Sequence, residues 1–216
     1  MKNGNAQIKE DVGFVFIQGA GLQSWIWERV VSEMKHPVLL IDFPEGENGS
    51  RKGLAMRDYN DHIKQQVEVW DIEKYIVVGH SWGGLPALVL SSDLPGRVVG
   101  FIAIGATIPK SGGSFLSTFP PAKRLLMHAL LRIFGTRPTA SAIRKGLCND
   151  LSYDQASEVV DAFVPESIHI YTDRIRAMLP ADLPKLYIKL TRDQEMQSSH
   201  QDRMIANLNP QSIEQM

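Results

Sequence analysis

The sequence predicts an α/β fold, a mostly parallel sheet with helices on both faces, interrupted by an inserted helical cap. Two observations carry this expectation. Short runs of continuous Val, Ile and Leu character alternate with stretches of helical period, the pattern of strands buried on both faces. The alternation stops at Gly105 and resumes only at Lys185, leaving a helical and loop-like stretch with no convincing buried strand.

Taken in order, VGFVFI from Val12 to Ile17 reads as a buried strand, and Gln18-Gly19-Ala20-Gly21 as the tight turn that ends it. Ser24 is a fair N-cap for a helix in which Trp25, Trp27, Val30, Val31 and Met34 recur at roughly helical spacing. A second strand, Pro37 to Asp42, completes a βαβ unit. The loop PEGENGSRKG leads into an amphipathic stretch from Tyr59 to Trp70 and a strand from Lys74 to Val78. A helix from Trp82 to about Ser92 and a strand from Val98 to Ile104 follow. Pro120 and Pro121 open a helix whose Leu125, Leu126, Ala129, Leu130 and Ile133 make an apolar face. Packing against the main domain is the ordinary expectation for that face, and roofing an apolar pocket is the functional alternative. Lys185 to Leu190 returns to strand character, followed by Thr191-Arg192-Asp193 and a helix from about Gln201 to Leu208. The implied organisation is a core at residues 1–104, a helical cap at 105–184 and a continuation of the core at 185–216.

A chain of 216 residues, 44% of them hydrophobic, can bury one sizeable core. Its 23 basic and 24 acidic residues nearly cancel, and no basic run offers the footprint of a nucleic-acid binder. The single cysteine, Cys148, cannot make an internal disulfide, and MKNGNAQIKEDVG lacks the apolar stretch of a signal peptide, so a cytoplasmic location fits. The most lipophilic segment, Leu125 to Phe134, is interrupted by His128 and Arg132. It is about half the ~20 residues a membrane span requires, so no span is expected.

Chemistry concentrates in Gly79-His80-Ser81-Trp82-Gly83, a G-x-S-x-G pentapeptide between a predicted strand and a predicted helix. Such a junction puts the serine on a strained turn, and the glycines on either side remove side chains that would keep strand and helix apart. Ser81 is the candidate nucleophile. An acyl-transfer serine needs donors for the developing oxyanion. Trp82 N–H, at a helix start, supplies one, and the turn after the first strand supplies another through Ala20 N–H.

FVFIQGAGLQSWIWERV, GHSWGG and LYIKLTRDQ together resemble the plant-type methylesterase and hydroxynitrile lyase group of α/β-hydrolases and its bacterial relatives. The resemblance covers the chain apart from the cap. It implies an α/β-hydrolase fold, an acyl-serine mechanism on Ser81 with no metal or organic cofactor, and Asp193 as the acid that orients the catalytic histidine, with Glu195 as its fallback. The family reads His-Gly-Ala where this chain has Gln18-Gly19-Ala20, which leaves the packing of that loop open. The lyases carry threonine and the esterases glycine at the position of Gly19, favouring ester hydrolysis.

The base is the difficulty. None of the six histidines fits by position: His36 precedes a strand at the far end, His62 lies on a charged helix, and His128 and His169 lie in the cap. His80 should point away from Ser81, and His200 follows Asp193 too closely. The family places its histidine after the last strand, and NPQSIEQM reads as the entry to that strand. The expectation is therefore a sheet lacking its last strand and final helix, and a chain inactive as it stands. The expected substrate is a small apolar ester; a homodimer is compatible. A hydroxynitrile-lyase-type enzyme and a non-catalytic small-molecule receptor on the same fold are the alternatives.

Overall fold

A computed structural model describes residues 12–216. Strand β1 (Val12–Ile17) is followed by a 3-10 turn (Ser24–Trp27), the short helix α1 (Glu28–Val31) and β2 (Val38–Leu40). Ser24 does not cap α1; its hydroxyl donates to Asp42 Oδ1 at 2.7 Å, fastening the turn to the end of β2. Helix α2 (Met56–Glu68), β3 (Lys74–His80), a 3-10 turn (Ser81–Gly83), α3 (Gly84–Asp93) and β4 (Val98–Ile104) complete the first half.

The 105–184 segment holds α4 (Pro121–Phe134), α5 (Ala140–Leu147), α6 (Tyr153–Ala162) and α7 (His169–Thr172), with no strand. Then come β5 (Lys185–Lys189), α8 (Ser198–Leu208) and β6 (Ser212–Gln215).

The strands form one parallel sheet in the order β2-β1-β3-β4-β5-β6. The chain runs outward from β1 to β2, then returns to place β3 on the other side of β1. The crevice beyond the C-terminal ends of β1 and β3 is thus the topological switch point, where open α/β sheets bind ligands. Alternation along β3 explains its two faces. Tyr75 and Val77 enter a core with Tyr59, Leu85, Phe101 and Tyr187, while Val78 packs with Phe16 and Trp27 on the other side.

Two expectations are corrected. The last strand is not absent: Ser212–Gln215 pair with Leu186–Lys189, so the sheet's open edge lies on β6 and not on β5. All four residues of β6 are exposed, so backbone hydrogen bonding holds it there. The apolar face of α4 does not pack on the main body. Leu125, Leu126, Leu130 and Ile133 are exposed, from 43% at Leu130 to 72% at Leu125, and Phe134 is 75% exposed. Only the side bearing Met127, His128 and Leu131 is half-buried.

Candidate active site

Ser81 stands directly after β3 with φ of 52°, a left-handed conformation that costs a non-glycine residue about 1–3 kcal/mol. Its surroundings hold it there. Thr107 N–H donates to Ser81 O at 2.8 Å, tying the turn to the segment after β4. The neighbouring glycines are sterically required: a Cβ on Gly83 would stand 2.4 Å from Gln18 O, and one on Gly79 would stand 3.0 Å from Gly84 Cα. Sharp turn, serine and close strand–helix approach are therefore one device.

The turn after β1 lies against this serine. A Cβ on Gly19 would stand 3.0 Å from Ser81 Cβ and 3.3 Å from His80 Nδ1. Ala20 N–H has no acceptor among the described residues. Gln18, in the place of the family's histidine, is buried and donates through Nε2 to Ile41 O at 3.0 Å, linking the ends of β1 and β2. Trp82 carries its N–H at the start of the helical turn, where the first donors have no intrahelical acceptor. Its side chain is buried against Phe43 and Tyr59, and its indole N–H donates to Ile170 O at 2.8 Å.

Asp193 lies beyond the end of β5. Its Oδ1 accepts the N–H groups of Glu195 and Met196 at 2.8 and 2.9 Å, and its Oδ2 lies 3.5 Å from where a Gly105 Cβ would stand, at the end of β4. Ser81 and Asp193 thus come to the same sheet edge, on strands separated by β4. Glu195 turns elsewhere: its side chain lies against Gly146 of α5.

No hydrogen bond joins a histidine nitrogen to Ser81 Oγ among the described residues. His169 Nδ1 pairs with Asp173 at 3.2 Å, and His200 Nε2 with Thr118 Oγ1 at 3.1 Å. His80 packs edge-on against Trp27, with Nδ1 buried and unpartnered. Burial lowers its pKa, while the Asp193 carboxylate pulls the other way.

Sequence reasoning missed one group beside the site. Glu166 is buried, accepts Gly21 N–H at 3.2 Å and Tyr59 OH at 2.6 Å, and pairs with Arg51 at 2.7 Å. Burial and that carboxylate push the Tyr59 hydroxyl far above its ordinary pKa. Arg51 and Glu166 stand 115 residues apart, so no local signal in the chain joins them.

A model of the alpha/beta hydrolase family matches residues 14–214. The chain belongs to that family. Among curated relatives, the Oryza sativa protein named "Probable esterase PIR7A" is 29% identical over 112 residues, 48% of this chain and 43% of that protein. Polyneuridine aldehyde esterase of Rauvolfia serpentina is 24% identical over 122 residues, 53% of this chain and 46% of that protein. The chain therefore matches less than half the length of these relatives. An extracellular alpha/beta-hydrolase from a Paenibacillus species has a similar structure, with a TM-score of 0.80 and 19% identity, covering 95% of this chain and 89% of that one. At that identity the likeness establishes the fold alone.

Proposed function

We propose that this chain is the body of a serine-dependent carboxylic-ester hydrolase. Ser81 attacks the ester carbonyl, Trp82 and Ala20 N–H groups receive the oxyanion, the alcohol leaves, and water then releases the acid from acyl-Ser81. The base takes the Ser81 hydroxyl proton and passes it to the leaving alcohol, while Asp193 orients the base and stabilises its charged form. The observation that carries the reading is the left-handed Ser81, pressed against the Gly19-Ala20 turn at the sheet's switch point. The esterase names of the curated relatives support the same reaction class.

The base is an imidazole entering between Ser81 and Asp193. Two strand spacings, about 10 Å between backbones, leave room for one ring. Helices α4 to α7 act as a cap over this crevice, and no cofactor takes part. A second reading, a non-catalytic receptor, is favoured by one observation: no imidazole nitrogen among the described residues reaches Ser81.

The deciding experiment appends the C-terminal segment of a methylesterase relative after Met216 and measures turnover of p-nitrophenyl esters. The expected result is hydrolysis that Ser81→Ala lowers by several orders of magnitude, because triad members act as a unit. Absence of turnover in the folded, extended protein supports the receptor.

A further inference from the structure

The balanced charge of the whole chain conceals a regional asymmetry. No acidic residue occurs between Asp93 and Asp150, and within that stretch α4 carries Lys123, Arg124 and Arg132. The same helix displays two adjacent rows at i, i+4 and i+8 spacing, Leu125-Ala129-Ile133 and Leu126-Leu130-Phe134, whose large side chains are all exposed. Arg132 follows Leu125 by two turns and borders one side of this face, while Lys123 precedes Leu130 by two turns and borders the other. Lys123 also lies over the Phe119 ring, at 4.8 Å from its centroid, which anchors the start of α4.

We propose that α4 docks on an anionic lipid surface. A helix with an apolar face of Leu, Ile and Phe and a cationic margin lies in the plane of a bilayer, its apolar side chains among the upper acyl chains and its Lys and Arg heads at the phosphates. At 14 residues α4 is about 21 Å long, too short to span the hydrocarbon core and suited to lying along it. The face is convex and offers no polar group along its centre, so it presents no directional contact to a specific protein partner. A second copy is disfavoured by symmetry. A two-fold contact through α4 sets the patch against itself and gathers the cations of both chains at one seam, with no acidic residue on α4 to match them. The bilayer supplies the opposite charge and a fluid apolar layer at once.

The test is co-sedimentation of the 216-residue chain with vesicles of phosphatidylcholine alone and of phosphatidylcholine mixed with phosphatidylglycerol. The expected result is binding to the mixed vesicles that weakens with added salt and is much weaker on phosphatidylcholine alone. Leu126→Glu and Ile133→Glu should each lower affinity about tenfold or more, and Arg132→Gln about fivefold. All three positions are exposed, so unfolding curves matching the parent chain confirm that the fold is retained. The proposal is overturned if the parent chain stays in the supernatant with both vesicles, if it binds both equally, or if the two glutamate variants bind undiminished. It is equally overturned if sedimentation equilibrium shows a dimer that Leu126→Glu dissolves while vesicles capture nothing.

Discussion

The carboxylate of Glu166 accepts the backbone N–H of Gly21, so a residue of the helical segment holds the turn that lies against Ser81. The same carboxylate is shared with Arg51 and Tyr59, and the buried charge is matched only while all three stay together. Removing one partner of such a pair leaves the other charged and dry. Glu166→Ala should therefore destabilise the protein by about 3–5 kcal/mol, read from urea unfolding, and Glu166→Gln should cost less because its amide oxygen still accepts from Gly21 and Arg51 while its NH2 donates to the Tyr59 hydroxyl oxygen. Equal stability of Glu166→Ala and the parent chain would show that the cluster does not hold the segment down.

Gly19 is the second structural lever. A Cβ there already stands 3.0 Å from Ser81 Cβ, so the branched side chain of Gly19→Thr must displace either the turn or the serine. In the extended protein its specificity constant for p-nitrophenyl esters should fall about a hundredfold, the scale of a misplacement near 1 Å. An unchanged constant would remove this turn from the site.

Much of this was legible in the chain because sterics wrote it there. Gly79, Ser81 and Gly83 are spaced as a left-handed turn between strand and helix demands, and the apolar runs of β1, β3 and β4 announce strands buried on both faces. Other features had no such signature. The tail SIEQ has no apolar run, and β6 joins the sheet through its backbone alone, with every side chain exposed. The stripe on α4 shows that the helix has an apolar face but not what covers it, and periodicity cannot tell a packed face from a bare one. The Arg51–Glu166 pair exists only once the loop before α2 and the helical segment have met.

His200 should make stability pH-dependent. Burial, followed by the nearby Arg203 and Lys123 cations, lowers its pKa from 6.5 to about 4. The unfolded chain then binds a proton at a higher pH than the folded one. The stabilising contribution is complete above 6.5 and is lost as pH falls from 6.5 toward 4, with a slope of up to about 1.4 kcal/mol per pH unit. Replacing His200 with Gln should flatten the unfolding free energy across that window; a parallel fall in the variant would assign the slope to other groups.

The most direct test of the account is to trap the acyl group. The extended protein is mixed with p-nitrophenyl acetate, quenched in acid during the first turnover, digested and mapped by mass spectrometry. One acetyl group is expected, on Ser81, and none in the Ser81→Ala protein. A quenched protein that turns over the ester without label on Ser81, or label that persists in Ser81→Ala, would contradict it.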